Sequence, residues 1–283
     1  MRWQLGRRST NVEDRRGTGV SGPLVGGGIG AALISLVILL LGGDPSVIWQ
    51  TESPPSDRPI TNAPQTTANQ DEAADFVSVV LADTEDTWTE IFQQNGQTYI
   101  KPKLVLYSGA VESACGFARS AVGPFYCPAD QKVYIDLSFY QDLRNRYQAP
   151  GDFAQAYVIA HEIGHHVQNL LGISDQVRSL QSRVSQTQAN QLSVKLELQA
   201  DCFAGVWANN AQRTRQILET GDIEEALNAA SSIGDDRLQE QARGYVVPES
   251  FTHGSSAQRV RWFKRGVQSG NIDQCNTFAD SNL

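Results

Sequence analysis

Histidine is scarce in this chain, with only four among 283 residues. Cysteine is equally scarce, and no two of the four form a C-x-x-C pair, which argues against a zinc–cysteine site. No segment of 20–50 residues repeats, so solenoids and propellers are excluded. Positive charge is in deficit: 23 Lys and Arg against 31 Asp and Glu give a net charge of −8. That balance argues against a nucleic-acid partner and against adhesion to an anionic lipid surface. With 40% hydrophobic and 19% charged residues, the composition is that of a globular protein rather than a disordered or fibrous one.

Charge is missing altogether from Gly17 to Gly43, and this run, closing on Leu33–Leu41, is long enough to cross a bilayer. It starts late and exits through Gly42-Gly43-Asp44-Pro45 without an A-x-A-like cleavage site, which favours an uncleaved anchor over a signal peptide. Residues 1–22 carry five arginines against Glu13 and Asp14, a net of +3, leaving −11 (−8 less +3) on the remainder. The positive-inside bias therefore places residues 1–22 in the cytoplasm, 23–43 in the cell membrane as a single pass, and the rest outside. Residues 44–75, rich in Pro, Thr, Ser, Asn and Gln, read as a disordered linker, and 76–283 as one domain. All four cysteines lie beyond the apolar run, in a compartment that can be oxidising. Of the three possible pairings, a Cys115–Cys127 bridge across a Gly/Pro-containing loop comes first and Cys202–Cys275 follows by elimination; four buried thiols are the alternative.

Within the domain, Phe76 to Phe92 recur at helical spacing up to Asn95-Gly96, and strand patterns follow at 104–107 and 132–137. After Pro150 the pattern is helical: Asp152 as N-cap of a helix to about Leu171, then helices at about 174–188, 192–218, 222–232 and 235–242, and a last one from about Ser255. A small sheet followed by a helical bundle makes this an α+β domain.

Three of the four histidines fall within His161-Glu162-Ile163-Gly164-His165-His166, an H-E-x-x-H pattern. At about 100° per residue, His161 and His165 lie about 40° apart on the helix and can reach one tetrahedral ion, with Glu162 beside them to hold a water. His166, about 100° further round, points away from the metal, toward a partner or solvent. Gly164 implies close packing, expected from the 132–137 strand, which is also placed to pair with an extended substrate. The metzincin extension is ruled out by Gln168 and Leu171. In Glu197-Leu198-Gln199-Ala200-Asp201 two carboxylates share one helical face amid apolar neighbours, so Glu197 is the expected third ligand and Asp201 the acceptor for a ligating imidazole. Asp175 and Asp152 are the weaker alternatives.

The segments NVEDRRG at 11–17, GPFYCPADQKVYIDLSFY at 123–140, HEIGHHVQ at 161–168, LELQADCFAGVWA at 196–208 and FTHGSSAQRVRWF at 251–263 carry a resemblance to the bacterial membrane-anchored putative neutral zinc metallopeptidases. The resemblance implies a zincin-like fold and a Zn2+ cofactor. A looser likeness links the chain to membrane-associated zinc proteases that pair H-E-x-x-H with E-x-x-A-D and a later T-H-P-x-x-x-x-R-[IV]. Here that segment is Thr252-His253-Gly254 with Arg259-Val260, glycine replacing proline. The likeness implies that His253 and Arg259 surround the active site. The expected chemistry is hydrolysis of a peptide or protein substrate, with His161, His165 and Glu197 on zinc, Glu162 as general base and His253 as a hydrogen-bond donor to the tetrahedral intermediate. A zinc-containing binding domain without turnover and a zinc amidase acting on cell-wall material are the alternatives.

Overall fold

The computed structural model describes residues 1–17 and 68–280. In chain order the elements are β1 (Val12–Asp14), α1 (Ala68–Gln94), β2 (Lys103–Tyr107), β3 (Ala110–Ser113), β4 (Gly116–Arg119), β5 (Phe125–Cys127), β6 (Lys132–Asp136), α2 (Phe139–Asn145), α3 (Asp152–Leu170), α4 (Ile173–Gln181), α5 (Gln186–Arg215), α6 (Asp222–Ser232), α7 (Asp235–Arg243) and α8 (Ser256–Ser269). The fold is mixed α+β, mostly helical with a small sheet. Among the described residues no helix is long and apolar enough to cross a membrane. The apolar run at 23–43 lies outside the described residues.

The four-stranded sheet has the order β1-β2-β6-β5, with β1/β2 and β2/β6 parallel and β5/β6 antiparallel. Val105 pairs with Tyr134 and Leu106 with Ile135. Parallel strands are covered on both faces. Leu104, Leu106, Val133 and Ile135 accordingly join the main core with α1, α3 and α5, while Val105, Tyr107 and Tyr134 form a smaller cluster with Val111, Ala118 and Val122. The stretch between the expected strands, read as a loop, contains the β3–β4 hairpin and β5. Both cysteine bridges form, Cys115–Cys127 and Cys202–Cys275.

Several expectations need correction. The helix expected from Phe76 begins at Ala68, so 68–75 is helix rather than linker. Asp152 is not the N-cap of α3: Gly151, at φ +124°, takes that position, and Glu225 from α6 accepts the Phe153 N–H at 3.0 Å. Gly164 packs on α5 rather than on a strand, since a Cβ there would meet Ala200 backbone at 3.0 Å. The 132–136 strand has neighbours on both sides, so the sheet edge on that side is β5.

Residues 1–17, expected as a separate basic segment, are folded onto the domain. β1 extends the sheet, and the Met1 ammonium binds Asp152 at 2.7 Å and Asp222 at 3.3 Å. Glu85 on α1, 1% exposed, accepts from Ser9 Oγ, Asn11 Nδ2 and Arg7. The arginines whose charge is expected to orient an anchor are engaged with carboxylates: Arg7 with Glu85 and Asp86, Arg8 with Asp75, Arg15 with Glu13 and Arg16 with Asp14.

Burial alone would raise the Glu85 carboxyl, but these partners, with Lys101, hold it below its ordinary range. Its contribution to docking is therefore fully present above the unfolded carboxyl range and is lost as pH falls through the lower folded value. Glu85→Gln should cost about 1–3 kcal/mol and expose residues 1–17. Hydrogen exchange at β1 and denaturant melting check this; unchanged protection at neutral pH would contradict it.

Candidate metal centre

α3 is buried along most of its circumference because α1, α5, α6 and the sheet enclose it. α4 lets the chain turn back so that α5 crosses beside α3, and Gly164 against Ala200 allows the two backbones to approach closely. α8 lies equally close to α5. A Cβ at Gly266 would run into the Cys202 carbonyl, and one at Gly205 into the Phe263 carbonyl. These contacts bring Glu197 and Asp201 on α5 and Arg259 on α8 to the histidines of α3.

His161, His165 and Glu197 present ligand atoms that all lie within 4.8 Å of one another. His161 Nε2 is 3.1 Å from Glu197 Oε2, and His165 Nε2 is 3.5 Å from Glu197 Oε1. The opposite ring nitrogens are occupied. His161 Nδ1 donates to Asp201 at 2.9 Å, and His165 Nδ1 donates to Gln168 Oε1 at 2.9 Å. The Gln168 amide is oriented in turn, because its Nε2 donates to Leu196 O at 2.7 Å and to Gln199 Oε1 at 3.1 Å. With Nδ1 fixed as the donor on both rings, both Nε2 lone pairs are directed to one point beside a carboxylate. That donor set suits a zinc ion and leaves one tetrahedral position for a non-protein ligand. Asp152, one alternative ligand, instead belongs to an acidic group with Asp222 and Glu225 that holds the Met1 ammonium.

The charges follow from this arrangement. Burial would lower His165, but the charge and hydrogen bond of Glu197 raise it to about 9. Burial would raise Glu197, and the two imidazoles pull it well below the carboxylate range. Glu162, the neighbour of His161, is buried and pushed upward by that burial, against the pull of the histidines. His166 points away from the centre and into protein rather than solvent. Its Nε2 donates to Ile100 O at 2.6 Å, its Nδ1 accepts from Tyr126 at 3.0 Å, and burial lowers it to about 4. It thereby ties α3 to the edge strand β5.

Asp201 is the centre of a second layer. Besides His161, it accepts from Tyr157 at 2.5 Å, and from Nε and Nη2 of Arg259 at 2.9 Å each. Burial would raise it, and Arg259 and His161 bring it to about 2. Tyr157 lies four residues before His161 and Gln168 three after His165, spacings that put them on the same helical faces, so both were discoverable from the H-E-x-x-H helix. His253 is held by Asp235 on α7, with Nδ1 to Oδ1 at 3.2 Å, and feels the charge of Glu197. Asp235 escaped the sequence reading, since nothing in its spacing marks it.

An H-E-x-x-H helix with a carboxylate from a second helix, and an acid holding one imidazole, is the donor arrangement of a candidate zinc centre. The family model described as "Putative neutral zinc metallopeptidase" matches residues 1–278, and the chain belongs to that family. It is 54% identical over 290 residues to the uncharacterized protein YpfJ of Escherichia coli K12, covering 99% of this chain and 100% of that one. It is also 45% identical over 195 residues to the uncharacterized protein Rv2575 of Mycobacterium tuberculosis H37Rv, covering 65% of each. No solved structure matches the chain.

Glu197→Ala should abolish stoichiometric zinc, Asp201→Asn should weaken zinc about 10–100-fold, and Glu162→Gln should leave it unchanged. Elemental analysis and competition titration measure all three; full zinc in Glu197→Ala would place the third ligand elsewhere.

Proposed function

We propose that this chain is a zinc-dependent peptide hydrolase of zincin-like type in which Glu162 is the general base. The observation that carries the reading is the convergence, among the described residues, of two oriented imidazoles and one carboxylate, with a further buried carboxylate, Glu162, adjoining the first imidazole. A structural zinc site closes with four protein ligands and has no use for such a base. Zinc bound here supplies a Lewis acid that activates water and polarises a carbonyl.

The remaining work falls to the chain itself. Glu162, raised by burial, accepts the proton of the attacking water and passes it to the leaving amine. His253 donates through its free Nε2 to the oxygen that gains charge. Asp201 and Gln168 keep the imidazoles from rotating. The outer edge of β5, anchored to α3 through Tyr126 and His166, pairs with an extended substrate backbone, so peptide main chain is the recognised feature. Glu162→Gln should retain zinc and lose at least about 100-fold in hydrolysis of an unfolded peptide library. Undiminished, chelator-sensitive cleavage by that variant would contradict the assignment.

Localisation is part of the proposal. The two disulfides favour an oxidising, extracytoplasmic compartment for the domain, and the uncharged run at 17–43 favours membrane attachment. β1 hydrogen-bonds to β2, and a hydrocarbon core about 30 Å thick cannot separate paired strands. We therefore place residues 1–17 on the same side as the domain rather than in the cytoplasm, so that the run at 17–43 attaches to the membrane without crossing it as the single pass that its length and flanking charge suggest. In intact spheroplasts, a tag at the N-terminus and one at the C-terminus should show the same protease accessibility; opposite accessibility would contradict this placement.

A further inference from the structure

The segment carrying His253 is built around one buried carboxylate. Asp235, 1% exposed at the start of α7, accepts three successive backbone N–H groups at Oδ2: Thr252 at 2.7 Å, His253 at 2.7 Å and Gly254 at 3.0 Å. Its Oδ1 faces His253 Nδ1 at 3.2 Å, and Thr252 Oγ1 lies 3.1 Å from the same nitrogen. The Asp235 N–H donates back to Gly254 O at 2.9 Å, closing the turn. Three N–H groups converge on one oxygen, and the other oxygen faces the imidazole.

Gly254 explains why glycine stands where the related segment has proline. Its φ of +91° is closed to proline, whose ring fixes φ near −65°, and proline has no N–H to give Asp235. The same residue sets the turn against α5: a Cβ on it would lie 3.2 Å from both Leu198 and Val194. Leu198 directly follows Glu197. The side chain of His253 is 24% exposed, so the ring nitrogen not held by Asp235 is the one left for a ligand.

We infer that Asp235, with Gly254, is a positioning residue that locks His253 with Nδ1–H toward the protein and Nε2 toward the metal centre, preparing it to donate to the developing oxyanion. The inference rests on the peptidase reading for its role in turnover, while the ring orientation stands apart from it. An imidazole held through its far nitrogen presents a fixed tautomer and needs no reorganisation when charge develops opposite it.

Two measurements test this. Long-range 1H–15N spectra of the metal-free protein, with His253→Ala to assign the signal, should show His253 protonated at Nδ1 and protected from exchange, and Asp235→Asn should remove that protection. An unprotonated or freely exchanging Nδ1 in wild type overturns the proposal whether or not the variant folds. In the zinc-loaded protein, Asp235→Asn should lower kcat about 10–100-fold with KM changed less than about threefold and zinc stoichiometry intact. In a His253→Ala background the same substitution should cost less than about twofold more. Independent, additive losses overturn the proposal. If the wild type cleaves no peptide, the peptidase reading falls, and the ring-proton spectra still decide the assignment of Asp235.

Discussion

Asp201 is the constraint on which the site depends. A carboxylate with no exposed surface is costly unless every lone pair is used. Here Arg259 grips both oxygens, while Tyr157 and His161 share Oδ1. The four side chains come from α3, α5 and α8, so the charge pairing that stabilises Asp201 also fixes how those helices cross. Glycines at 205 and 266 allow the backbone approach that such short side-chain contacts need. The Cys202–Cys275 bridge, beginning at the next residue, ties the turn at Ile272–Cys275 to the same stretch of α5.

One turn before Asp201, Glu197 plays the opposite electrostatic role. Among the described residues it pairs with two imidazoles and with no arginine or lysine, and its charge and hydrogen bond raise His165. Asp201 is neutralised by a built-in arginine and orients; Glu197 has no such pairing among the described residues, which suits it to the proposed metal ion. The same helix thus provides a fixed acid and a ligand on one face, four residues apart.

Much of the site was legible in the sequence because its signals are local. H-E-x-x-H and E-x-x-A-D each put functional groups on one helical face, and the apolar residues that flank Glu197 and Asp201 in the chain are enough to mark both acids as buried. The long helices were legible for the same reason, through periodicity and stops such as Gly172. What escaped depends on distant partners. β1 is only Val12–Asp14, two of its three residues charged, and it becomes a strand because β2 lies beside it. The partner of Gly164 is a helix rather than a strand, a matter of tertiary crossing that spacing does not encode. Asp235 is one acid among several in its region until the backbone 17–19 residues later folds over it. Charge counting assigned the basic N-terminus to the cytoplasm because it could not see Glu85, Asp86 and Asp75 pairing with those arginines.

The most direct test of the central claim is a crystal structure of the zinc-loaded protein. The account predicts one ion about 2.0–2.2 Å from His161 Nε2, His165 Nε2 and a Glu197 oxygen, with a solvent oxygen in the fourth position within hydrogen-bond reach of Glu162. A fourth protein ligand closing the site, or an ion bound away from Glu197, would contradict it.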